Sequence, residues 1–139
     1  MPKVKVTNAK GLVQETGTGP SSFAPGLGVG AQAVTATGSN SQANSAAISA
    51  SGGSVVIVTG AGSNKGVRLP LLSSVPAGTM YYILNDAAAT LEVFPGVGDQ
   101  IHPAADNAGI TVAAGGMLLC ISDAAGVLWA SAEPAATAA

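Results

Sequence analysis

The chain has one histidine, His102, in the loop D-Q-I-H-P-A-A-D that runs from Asp99 to Asp106. Any imidazole chemistry must be built on it. Zinc takes three or four nitrogen and sulfur ligands, and one histidine with one distant cysteine, Cys120, cannot supply them. Hard cations want several carboxylates at close spacing, and this loop offers only Asp99 and Asp106. A Ser–His–Asp set would need a nucleophile on a sharp turn, yet the elbow G-x-S-x-G occurs nowhere. The seven acidic residues fall mostly in turns, and no pair is singled out for glycoside chemistry. His102, Asp99 and Asp106 are therefore expected to cap turns or to meet a neighbouring subunit. No catalytic, metal-binding or cofactor-binding residue is assigned, and the chain is expected not to be an enzyme.

The segment V-V-I-V-T-G-A-G-S-N-K-G (55–66) imitates a nucleotide site. An apolar strand running into T-G-x-G looks like the opening of short-chain dehydrogenases, where glycines bring a helix N-terminus to a pyrophosphate. Here G-V-R-L-P-L-L-S-S-V-P follows, with two prolines and a β-type run in place of a helix. No lysine comes after Lys65, so the Tyr-x-x-x-Lys pair of that family is missing too. It is not a Walker A loop either, because Lys65 precedes Gly66 and no Ser or Thr comes next. A hairpin loop with Asn64 and its glycines at positive φ is expected instead. Gly26, Gly28 and Gly30 form a second cluster with neither a strand before it nor a helix after it. Trp129 and the mid-chain Tyr81, Tyr82 and Phe94 read as core and interface anchors. An aromatic carbohydrate platform is the alternative. Cys120 lies in the apolar run 117–121 and reads as a small buried hydrophobe.

The elements that must hold these residues are short. From Ser54 onward, runs rich in β-branched and large apolar residues recur: SVVIVT (54–59), GVRLP (66–70), TMYYILN (79–85), TLEVF (90–94), GITVA (109–113), GMLLCIS (116–122) and VLWAS (127–131). Each is closed by Gly, Pro, Asn or Asp. Short runs with turn chemistry between them predict an all-β domain over 51–132, a compact antiparallel sandwich or barrel of jelly-roll type. Pro70 and Pro95 each close a run, where a missing N–H costs least. Several runs, such as 55–58 and 118–121, are apolar on both faces. A sheet with one wet face would alternate, so the second face is expected to meet another layer or another subunit.

Composition points the same way. Charged residues make up 9% of the 139 positions, against ~25% in ordinary globular chains. The apolar content is built largely from 27 Ala, next to 19 Gly, with only five aromatic residues. Few charges are available to coat a wet surface, and the mean hydropathy is positive at +0.45. Obligate assembly is the expectation. A net charge of −2 offers no footprint for nucleic acid. No run approaches the ~20 apolar residues of a membrane-spanning helix, and no secretory h-region follows Met1. Residues 16–64 hold no charge at all. Residues 1–50 are expected to form an extended arm that orders against neighbours, and 133–139 a flexible tail. Within the arm, Val4 and Val6 alternate with lysines as in a short strand, and SNSQANSAAI (39–48) allows a helical turn capped by Ser39 or Asn40.

The stretch from Val55 to Trp129 resembles a small β-domain of tailed-bacteriophage virion proteins. The resemblance rests on G-V-R-L-P (66–70), A-G-T-M-Y-Y-I-L-N (77–85), L-E-V-F-P-G-V-G-D-Q-I (91–101), N-A-G-I-T-V-A-A-G (107–115) and G-V-L-W (126–129). The opening K-V-K-V-T-N-A-K-G-L-V-Q-E-T-G-T-G (3–19) is similar to the start of phage structural proteins. The resemblance implies a head decoration (cement) protein, commonly trimeric, made in the host cytoplasm and bound to the major capsid protein on the virion surface. It equally allows a fibre or tail-associated module that binds a receptor glycan. It carries over no catalytic residue and implies no cofactor.

Overall fold

The structure is a computed structural model, and it describes residues 3–7, 11–16, 30–38, 41–123 and 128–132. The chain divides into two units, 1–30 and 31–139. In the first, β1 (Lys3–Thr7) and β2 (Gly11–Thr16) form an antiparallel hairpin. Val6 stands opposite Leu12 and Val4 opposite Gln14. The alternation of valine with lysine thus becomes a strand as expected, although it pairs with its own return instead of lying extended.

The second unit begins at Ala31. It contains β3 (Ala31–Thr35), β4 (Ala46–Ala47), β5 (Val55–Thr59), β6 (Gly66–Arg68), β7 (Met80–Asn85), β8 (Leu91–Phe94), β9 (Gln100–His102), β10 (Ile110–Val112), β11 (Met117–Ser122) and β12 (Leu128–Ala132). Single 3₁₀ turns occur at Gln42–Asn44 and Leu72–Ser74. The strands make a six-stranded sheet, β3-β5-β7-β11-β12-β9, and a four-stranded sheet, β10-β8-β6-β4. From β3 to β8 the chain alternates between the two sheets, strand by strand. Consecutive strands of one sheet therefore pair in parallel: β3 with β5, β5 with β7, β4 with β6 and β6 with β8. Parallel neighbours need a crossover connection, and here each crossover is a strand of the opposite sheet. The last four strands end the winding. β11 and β12 pair antiparallel beside β7, β10 runs antiparallel to β8, and β9 lies parallel to β12 at the far edge.

The all-β class is as expected, and all seven runs read from the sequence are strands. Their direction is not uniform. The expectation of an antiparallel jelly-roll gives way to a parallel winding with an antiparallel end, and neither sheet closes into a barrel. Turn chemistry shows where a strand stops, but not which sheet its successor joins. The glycine segment 60–65 illustrates this: it is no hairpin but the passage from β5 in one sheet to β6 in the other.

One core fills the space between the sheets. The larger sheet contributes Val56, Val58, Tyr81, Ile83, Leu118, Cys120 and Trp129, and the smaller contributes Val67, Leu91, Val93 and Val112, all at most 2% exposed. Alternate positions point inward because strand side chains have a period of two. Each such large apolar side chain contributes about 1.5–3 kcal/mol by leaving water. Ala36 and Ile48 belong to the same core, so the expected boundary near residue 50 moves back to Ala31. Of the expected arm, 31–38 and 41–50 lie inside the domain, while 17–29 and the tail 133–139 fall outside the described residues. The helical turn expected within 39–48 is the 3₁₀ turn at Gln42–Asn44. Its cap position is Ser41, which makes no side-chain capping bond; Ser39 and Asn40 are not among the described residues.

Candidate functional site

The loop around His102 is a structural one. The Asp99 carboxylate accepts the backbone N–H of Leu72 at 2.8 Å, fastening the second 3₁₀ turn to the β8–β9 loop. The Asn107 side-chain oxygen accepts the N–H of Gly98 at 2.7 Å, and the backbone N–H of Asn107 donates to the carbonyl of Asp99. His102 ends β9 with its side chain exposed, and Asp106 is exposed as well. Among the described residues no group of three or more His, Cys, Asp and Glu is close enough to hold a metal ion. Cys120 is fully buried, and burial pushes its thiol up to about 12. It is an inert core side chain.

In the nucleotide-like segment, Asn64 and Gly60 take positive φ (65° and 68°) as expected, whereas Gly62 and Gly66 do not. Gly66 has another reason to be glycine. A Cβ there would lie 2.6 Å from the carbonyl oxygen of Glu92 and 3.1 Å from the Phe94 ring. The residue exists for close strand approach, not for phosphate. Beside it, an open trough of about 400 Å³ is lined by polar residues such as Asn64, Lys65 and Glu92 together with the apolar Ala89 and Leu91.

The aromatic residues separate. Trp129 is wholly buried and packs edge-on against Tyr81, ring centroids 5.7 Å apart at 63°. It is a core anchor, so it cannot serve in a carbohydrate platform. Tyr82, next along β7, points the other way and is partly exposed.

Tyr82 belongs to the outer face of the six-stranded sheet, the most unusual surface of the domain. The buried positions of β5, β7 and β11 alternate with outward ones. The outward set is Val55, Ile57 and Thr59 on β5, Met80, Tyr82 and Leu84 on β7, and Met117, Leu119 and Ile121 on β11. They stand in rows across the sheet: Val55 beside Tyr82 beside Leu119, and Ile57 beside Leu84 beside Met117. Met80 and Met117 are 43% and 38% exposed. No Asp, Glu, Lys, Arg or His occurs on β3, β5, β7 or β11. Strands apolar on both sides thus leave an apolar surface over β5, β7 and β11.

The outer face of the four-stranded sheet contrasts with it. Glu92 stands beside Thr111, and Phe94 is only 6% exposed, its ring lying where side chains at Gly66 and Gly109 would be. The first 3₁₀ turn is tied down here. Arg68 donates to the carbonyl of Gln42, whose side-chain amide donates to the carbonyls of Pro95 and Gly96 and to Asn107 Oδ1. This side is polar and closed by its own loops.

Sequence reasoning missed three polar side chains that hold the fold. Asn85, fully buried at the end of β7, donates to the carbonyls of Ala89, Val112 and Ala113. Gln42 acts as just described. Gln32 on β3 donates to the carbonyls of Ser49 and Gly53 and accepts the N–H of Ser49. Their signal is weak, because an uncharged amide near a turn looks like any other turn residue. Among the described residues no helix is long and apolar enough to cross a membrane. No family model, curated protein or solved structure matches the chain.

Proposed function

We propose that the protein is a non-enzymatic structural component of a tailed-phage virion, a decoration protein that binds the major capsid protein as an oligomer and strengthens the head. The observation that carries this reading is the apolar, uncharged outer surface formed by β5, β7 and β11, with Ile57, Tyr82 and Leu119 at its centre. Exposed apolar surface of this kind marks an interaction site. Charged residues are 9% of the sequence, so little of the molecule is suited to standing alone in water. The role on a capsid comes from the resemblance in the strand-and-turn motifs between residues 66 and 129. Such a role requires area and shape complementarity rather than reactive groups. The glycan-binding alternative loses Trp129 to the core.

Mixing the purified protein with undecorated phage shells tests the proposal. The expected result is saturable co-sedimentation and a shell that withstands higher temperature. Absence of binding at saturating protein would overturn it.

A further inference from the structure

We infer that the free edge of β3 takes up an extended, uncharged segment of a partner protein as one more strand of the six-stranded sheet. The recognising groups belong to the main chain. β3 pairs with β5 in parallel, from Ala31 beside Val55 to Thr35 beside Thr59, and just beyond it the N–H of Ala36 donates to the carbonyl of Thr59 at 2.8 Å. Successive residues of a strand turn their N–H and C=O to opposite sides. Gln32 and Val34 therefore share the side of Ala36 and bond to β5, while Ala31, Ala33 and Thr35 each turn an N–H and a C=O the other way. Among the described residues no strand pairs with β3 on that side, and these three residues are exposed. A row of unpaired donors and acceptors at strand spacing is a template for another strand.

The other edges of the two sheets single β3 out. Sheets protect their edges with very short strands, charge or proline. The edge strands β4, β9 and β10 have two, three and three residues, and β9 ends at the exposed His102 with Pro103 next. β3 has five residues and contains neither proline nor charge. The nearest charged residues in sequence are Glu15 and Lys65, so no charged gatekeeper flanks it.

Side chains define the incoming segment. Ala31 and Ala33 stand beside Val55 and Ile57 on the outer face. Large apolar side chains at alternate positions of an added strand would lie over these alanines and reach the half-buried Val55 and Ile57. Charged ones would find no counter-charge on β3, β5, β7 or β11. The segment is therefore extended, rich in β-branched residues and free of charge. Assigning it to the coat protein rests on the capsid reading above; the pairing at β3 does not.

Ala33→Pro in the full chain tests this, because it removes an outward N–H that β5 does not use and so spares the fold. Ala33→Val keeps that N–H and is the control. Each is mixed with undecorated phage shells and, separately, with a short blocked peptide of alternating Thr and Val. Wild type and Ala33→Val should bind both partners alike. Ala33→Pro should keep its thermal transition yet bind each about tenfold more weakly or worse, and hydrogen exchange at Ala33 and Thr35 should slow in the wild-type complexes. If the proline variant loses its transition, Ala33→Lys, which puts a charge on the edge and leaves the backbone intact, decides in its place. Undiminished binding by the edge variants, or unchanged exchange at Ala33 and Thr35 in a saturated complex, overturns the inference. So does a dimer that Ala33→Pro dissolves, since a second copy then occupies the edge. Peptide taken up at β3 by a chain that ignores shells removes only the capsid role. Shells bound equally by Ala33→Pro remove only the edge pairing, and binding to neither partner removes both.

Discussion

Cys120 shows how burial in this domain becomes a dependence on pH. Its thiol has no accessible surface and is held up at about 12, against an ordinary value of 9.0, because burial disfavours the thiolate. Burial raises the Tyr81 hydroxyl as well. Between those two values the unfolded thiol ionises while the native one stays protonated, so the unfolded state gains. The contribution of this group to stability should be constant below pH 9 and fall above it, by up to about 1.4 kcal/mol per pH unit. Denaturant midpoints measured from pH 7 to 11 would check this, and Cys120→Ala should flatten the fall. Much at this scale was legible in the sequence. Cys120 in an apolar run, Trp129 as an anchor and Asp99 as a turn-capping carboxylate all follow from residue type and neighbours. Asn85 did not, because its amide satisfies carbonyls of Val112 and Ala113 that are distant in the chain.

Between elements, the tightest fit is that of β6 against β8 at Gly66. Gly66→Ala would push a methyl group to 2.6 Å from a backbone oxygen of Glu92, and backbone cannot swing aside as a flexible side chain can. Forcing atoms into a filled site costs about 1–3 kcal/mol. The variant should lose about that much, read by urea denaturation, while Gly78→Ala tests a different cost. At Gly78 the space is open and only the positive φ of 79° opposes the change. The seven strands from 54 to 131 were legible because β-branched runs ended in breakers. β3, β4 and β9 were not. β3 is A-Q-A-V-T, β4 has two residues and β9 three, too short or too alanine-rich for periodicity to speak. Pairing direction escaped as well, since it depends on which sheet a strand enters after its turn.

For the molecule as a whole, the second unit should stand by itself. Its core is drawn from residues 36–129, so deleting residues 1–29 should leave a cooperatively folding β-domain. Circular dichroism and a single thermal transition would check this, and a truncated chain without a transition would count against it. The expected arm of fifty residues was too long because small uncharged residues were taken for surface-seeking sequence. In fact Ala36 and Ile48 are core. The shortage of charge in the sequence is visible in the fold, because β5, β7 and β11, the strands that include exposed Met80 and Met117, carry no charged residue.

The passage of the chain from sheet to sheet has a mechanical side. Because β3 rests on β5 and β5 on β7, each winding is a ledge for the one before it, like successive turns of a rope around a post. A tug applied at Ala31 would load β3 against β5 first, and would reach β5 only after β4 had let go of β6. Load entering there would be met in instalments, one parallel ladder after another.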